Sequence, residues 1–209
     1  MGGDFDFWDL RRTAWSLSRR ARLQKPPPPL LLFTDPQRIP DPVAAAQRLP
    51  AGSGVVYRAF GATDAGAVAS DLRQVAWARG LVLLIGADVA LAQACDADGV
   101  HLPERLAHLA GRLRRRCPGW WVTTAAHSLP AARRALALGA DAVVVSAVFP
   151  SNSPSAGRPL GPLRLATLAR AAGGPVYALG GIHTKNARRL LASGVVGLAA
   201  VEGLSPGKA

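Results

Sequence analysis

The side chains of this 209-residue chain that could do chemistry fall just beyond short apolar runs. His127 stands immediately before Ser128, where a helical pattern opens, and Arg58 follows Gly54-Val55-Val56-Tyr57. An imidazole can titrate near neutrality, so His127 is a group able to act as an acid or a base. Arg58 carries a permanent fork of donors for an anion, with Tyr57 beside it as a second pocket residue. Ser151 and Ser153, in Phe149-Pro150-Ser151-Asn152-Ser153, add hydroxyls as substrate-binding candidates. Gly180-Gly181 and Glu202-Gly203 follow two later apolar runs, where backbone N–H groups could approach a phosphate.

Each of these has a plainer alternative. His127 could simply belong to an N-capping region, and Gly180-Gly181 could simply form a tight turn. A Glu202 carboxylate turned inward would repel a phosphate and favour an unphosphorylated or cationic ligand. His101, inside an apolar run, reads as a core or hydrogen-bonded structural histidine, and Asp35 before Pro36 could equally cap a loop.

The elements that must position these residues alternate regularly. Eight apolar runs read as strands: Leu30-Leu31-Leu32-Phe33, Gly54-Val55-Val56-Tyr57, Leu81-Val82-Leu83-Leu84-Ile85, Gly99-Val100-His101-Leu102, Trp120-Trp121-Val122-Thr123, Ala142-Val143-Val144-Val145, Pro175-Val176-Tyr177-Ala178-Leu179 and Val196-Gly197-Leu198-Ala199-Ala200. Nearly continuous apolarity suits strands covered on both faces. Crossover helices are expected over 63–79, 128–138, 163–171 and 185–192, and a helix over 106–116 is interrupted by Gly111. Eight such units predict a (β/α)8 TIM barrel rather than an open sheet, with its active site at the C-terminal strand ends. An echo, Asp96-Ala97-Asp98-Gly99 against Gly139-Ala140-Asp141-Ala142, marks helix-to-strand turns. Residues 1–29 form a basic extension, a short amphipathic helix followed by the stiff spacer Pro26-Pro27-Pro28-Pro29. The barrel is assigned to 30–209, and the extension is expected to pack on its outside.

Composition narrows the classes. With 49% hydrophobic and 18% charged residues, wholesale disorder is excluded. No run is long enough for a membrane span. The N-terminus lacks the apolar block of a secretory leader, so a reduced cytoplasmic setting is expected, with Cys95 and Cys117 as ordinary small residues. The net charge of +12 is spread along the chain without aromatic interleaving, which argues against nucleic acid. A homo-oligomer is compatible with the sequence.

Ordered motifs then point to a family. Leu32-Phe33-Thr34-Asp35-Pro36, Asp98-Gly99-Val100-His101-Leu102, Ala126-His127-Ser128, Gly139-Ala140-Asp141, Phe149-Pro150-Ser151-Asn152-Ser153, Pro175-Val176-Tyr177-Ala178-Leu179-Gly180-Gly181-Ile182 and Gly197-Leu198-Ala199-Ala200-Val201 appear in sequence. Together they resemble the thiamine phosphate synthase/TenI family over most of residues 30–204. The resemblance implies thiamine biosynthesis or salvage and a small-molecule ligand, thiazole or thiazole phosphate. The family's synthases join a hydroxymethylpyrimidine diphosphate to a thiazole phosphate with Mg²⁺. Here the matching places diverge: the Asn-Asp pair falls on Leu84-Ile85, and the metal-binding Asp falls near Leu106, with Glu104 close enough to substitute. In the strand-two pattern Arg58 persists while other polar places hold Val56 and Phe60. Serines after strands five and eight become Ala125 and Glu202. The thiazole tautomerase (TenI) branch also lacks the metal carboxylates, continues past strand four into a proline like Pro103, and has its acid/base histidine at the place of His127. That branch implies proton transfer with no cofactor required and is the leading reading. A synthase with a rebuilt Mg²⁺ site and a catalytically silent binding barrel are the alternatives.

Overall fold

In a computed structural model describing residues 3–151 and 157–201, the eight apolar runs pair in parallel and close on themselves in the order β1 to β8. The strands are β1 Leu30–Phe33, β2 Gly54–Tyr57, β3 Val82–Gly86, β4 Gly99–Leu102, β5 Trp121–Ala126, β6 Ala142–Val145, β7 Val176–Leu179 and β8 Gly197–Ala200. Closure is made by β8 on β1, with Leu198 opposite Leu30 and Ala200 opposite Leu32. Alternation along each strand divides the core in two. Leu31, Phe33, Val56, Leu84, Val144 and Tyr177 form the inner cluster, while Leu30, Leu32, Val55, Leu83, Val143 and Leu198 join the layer that packs on the helices.

The helices are α1 Gly3–Ala21, α2 Pro42–Gln47, α3 Ala65–Arg79, α4 Val89–Ala94, α5 Ala110–Arg116, α6 Leu129–Ala137, α7 Gly161–Ala171 and α8 Thr184–Ala187. Two of them, α2 and α4, were not expected, because six residues carry too little periodicity to reveal a helix. Their caps were the available signal: the Asp41 and Asp88 carboxylates each accept a backbone N–H three residues on. Gly111 does not interrupt its helix. A 3₁₀ segment over Glu104–Leu109 runs into α5, and Gly111 lies within α5 because a Cβ there would stand 2.7 Å from the Leu138 carbonyl oxygen. The glycine permits close helix packing rather than a break. Towards the C-terminus, the expected helix shortens to α8 followed by a 3₁₀ turn, Arg188–Leu190.

The echoed motifs have one shared job. Asp98 Oδ2 accepts Leu83 N–H (2.7 Å) and Arg73 Nη1 (2.9 Å), while Asp141 accepts Val122 N–H (2.8 Å) and Arg114. Each carboxylate ties the entrance of its own strand to the preceding strand, so Asp98 and Asp141 are frame residues.

On the outside of the barrel, α1 packs against α8, β8 and β1, with Leu10, Ala14 and Leu17 fully buried. The proline segment is stitched below the barrel. Pro28 accepts the Tyr177 hydroxyl at 2.6 Å, and Pro29 accepts Leu198 N–H at 2.9 Å. Among the described residues no helix is long and apolar enough to cross a membrane.

Candidate active site

The C-terminal strand ends surround a cavity of about 1070 Å³. Its walls draw on several βα loops, as expected for this fold.

On the side of β1 and β2, Arg58 is anchored from both backbone and side chain. Its N–H donates to Thr34 Oγ1 (2.9 Å) and its Nε to the Thr34 carbonyl (2.7 Å). Its Nη2 is buried and lies 3.6 Å from Asp35 Oδ2, which Arg38 also engages at 2.8 Å. The Arg38 side-chain hydrogen bond, with further pull from Arg58, outweighs burial and holds the Asp35 carboxyl below its usual range. Asp35 does cap a turn, accepting the Gln37 and Arg38 N–H groups, but it also binds two guanidinium groups. Arg38 was missed from sequence, although its i,i+3 spacing from Asp35 was visible.

Near the floor, His101 is buried, with Nδ1 3.0 Å from Thr123 Oγ1 and its ring edge-on to Phe33. Burial first, then the nearby Arg58 charge, pushes its pKa down to about 3. At neutral pH it is an uncharged cavity-lining group.

At the mouth on the side of β4 and β5, Glu104 Oε2 sits 2.9 Å from His127 Nδ1 and 2.9 Å from its backbone nitrogen. Burial raises the Glu104 pKa, but the His127 hydrogen bonds and charge prevail and hold it below its ordinary value. His127 lines the cavity, half-exposed.

Across from Arg58, Gly180, Gly181 and Ser151 line the cavity with Ser146. The glycines answer first to packing. A Cβ on Gly181 (φ +63°) would lie 2.2 Å from the Pro150 carbonyl oxygen, and one on Gly180 (φ +99°) 2.9 Å from Ala147. The two carbonyls are used as well, accepting Phe149 N–H and Asn186 Nδ2 respectively.

Tyr57 is not brought to this cavity. Odd–even alternation turns it outward into the helix-facing core, between Val56 and Arg58, which point the other way. Ser153, Glu202 and Gly203 lie outside the described residues. Arg105 and His183 line the cavity without having been singled out, and Phe60, noted only as the occupant of a lost polar place, lines it too. Loop side chains such as these carry no periodic signal.

Among the described residues the cavity offers Mg²⁺ few oxygen donors. Among the described residues its lining carries one carboxylate, Asp88, whose Oδ1 caps α4. Glu104 is committed to His127 and Asp35 to two arginines, and no cluster of three ligating side chains forms among the described residues.

Comparison with known proteins places these features. The model of the thiamine monophosphate synthase family matches residues 30–204. A putative thiamine-phosphate synthase 2 of Aquifex aeolicus is 33% identical over 134 residues, covering 64% of this chain and 72% of that protein. Thiamine-phosphate synthases of Chromobacterium violaceum and an Azoarcus species are 36% and 40% identical; the matches cover 65% and 64% of this chain and 66% and 65% of theirs. The match thus spans about two thirds of those relatives' length. Among solved structures, a thiamine phosphate pyrophosphorylase from Pyrococcus furiosus superposes with a TM-score of 0.72 at 26% identity, covering 85% of this chain and 88% of that one.

Proposed function

The chain belongs to the thiamine monophosphate synthase family, and from that premise we propose that it binds a thiazole or thiazole phosphate and catalyses proton transfer on the ring. The observation that carries this reading is the Glu104–His127 pair at the cavity mouth. A carboxylate that accepts from Nδ1–H fixes the imidazole tautomer and leaves Nε2 as the atom that takes and returns the proton. A tautomerisation needs nothing further: one proton leaves one ring position and the same charge returns at another, with no leaving group. The ligand's phosphate, when present, would rest against the Gly180-Gly181 wall, and Arg58 would face an anionic group at the opposite end. Thiamine biosynthesis or salvage is the setting this implies.

Condensation chemistry is the second reading, favoured by the names of the relatives. It would need Mg²⁺ to offset the diphosphate charge, and Glu104, a carboxylate near the lost ligand position, is engaged with His127 instead.

The two separate in one experiment. Purified protein is given a thiazole phosphate in D₂O and, separately, hydroxymethylpyrimidine diphosphate plus thiazole phosphate with Mg²⁺. Ring isomerisation or deuterium uptake that vanishes in His127→Asn, without thiamine phosphate formation, is the expected result. Thiamine phosphate formation would overturn it, and binding with no turnover in either assay would make the barrel a silent binder.

A further inference from the structure

The end of the barrel opposite the cavity is built from the connections that lead out of each helix into the next strand. Its charges are one-sided. Arg22, Lys25, Arg48, Arg79 and Arg116 stand exposed on those connections and the helix ends that enter them. Among the described residues the same connections expose one carboxylate, Asp96, because Asp98 and Asp141 are engaged by Arg73 and Arg114 and by strand N–H groups. Over residues 105–201 Asp141 is the sole acidic residue, so the α5-to-α8 side adds no exposed carboxylate to balance the cations. No ion pair engages Arg22, Lys25 or Arg116 among the described residues. Apolar groups stand among these charges. Trp77, in the last turn of α3, is 64% exposed, and Leu138, at the end of α6, is 37% exposed. Lys25 Nζ lies 4.7 Å from the ring centroid of Trp121.

We infer that this end of the barrel docks on an anionic lipid surface, with Trp77 and Leu138 entering the headgroup layer and the surrounding cations meeting lipid phosphates. Charge complementarity sets the sign of the partner, and the exposed apolar side chains set its class. A nucleic-acid duplex presents its phosphates outermost and gives a tryptophan and a leucine no apolar layer to enter. A bilayer offers anionic headgroups and an apolar boundary at adjacent depths, where tryptophan and the long cationic side chains are both favoured. A second copy of the chain would need an acidic face, and its own matching end is basic. Docked this way, the cavity mouth at the opposite end stays open to water. The inference is therefore independent of the reaction proposed above.

The test is co-sedimentation of the full chain with vesicles of phosphatidylcholine alone and of phosphatidylcholine mixed with phosphatidylglycerol. Binding should require phosphatidylglycerol and weaken as salt is raised. Arg22→Gln combined with Arg116→Gln should lower the partition coefficient about 10- to 50-fold, roughly 5-fold for each cation removed. Arg164→Gln is the control, since it removes an exposed arginine from the cavity end of α7, and it should stay within about 2-fold. Trp77→Ser and Leu138→Ser should each reduce the binding that survives at high salt, and thermal melts of every variant check that the barrel is intact. Absence of binding to the anionic vesicles, equal binding to both compositions, or an Arg164→Gln loss as large as that of the double variant would each overturn the inference. So would a short DNA duplex that binds more tightly than the vesicles. Lipid-free self-association abolished by the double variant would also overturn it, giving this face to a second copy.

Discussion

Glu104 and His127, on loops 23 residues apart, meet through one carboxylate oxygen that lies 2.9 Å from both the ring Nδ1 and the backbone nitrogen of the histidine. The double contact fixes where the loop sits and how the ring turns. Removing the charge while keeping the shape should therefore change chemistry more than binding. For Glu104→Gln we expect kcat to fall about 10- to 100-fold with KM within about 2-fold, because an amide can hold the ring but cannot stabilise the imidazolium. Glu104→Ala should lose more. A metal-ligand role for Glu104 would instead give Mg²⁺-dependent turnover that Glu104→Asp partly preserves, so steady-state kinetics with and without Mg²⁺ decide.

His101 makes folding sensitive to acid. Its folded pKa of about 3 lies well below that of an unfolded histidine near 6.5, so the unfolded chain takes up the proton first. Stability is then full above about pH 6.5 and is lost as pH falls towards 3, with a slope approaching about 1.4 kcal/mol per pH unit. His101→Gln should flatten this part of the curve in denaturant melts taken between pH 3 and 7. An unchanged slope would mean that the ring is solvated and titrates normally.

Gly181 should be intolerant of a methyl group for a steric reason rather than a conformational one alone. Gly181→Ala would press Cβ to 2.2 Å from the Pro150 carbonyl, whereas Gly61→Ala, also at positive φ, meets open space. Chemical denaturation should show a loss of about 2 kcal/mol or more for the first and roughly 1 kcal/mol for the second. Equal losses would show that the β6 loop yields to Gly181 without cost.

The N-terminal helix should behave as part of the barrel wall. Leu17 is buried against it, and Leu17→Ala is expected to lower stability by about 2–4 kcal/mol. Exposed Arg12 offers the control, since Arg12→Ala should stay within about 0.5 kcal/mol. A single cooperative transition in both variants would support one folding unit, whereas a separate early transition for α1 would argue against it.

The sequence by itself determined the frame. Burial on both faces is a local property of each strand, so unbroken apolar runs announced eight strands, and their number announced closure. Ordered motifs likewise identified the family, whose model matches residues 30–204. Direction and partnership were decided only by the tertiary structure. Tyr57 and Arg58 are neighbours in sequence, but the two-residue period of a strand sends one to the helix layer and the other to the cavity. Glu104 looked like a spare metal ligand until closure of the barrel brought its loop against that of His127. Asp35 looked like a loop cap until β2 placed Arg58 beside it. Such pairings depend on strand register and loop path, which long-range contacts set, and no window of the chain contains both partners.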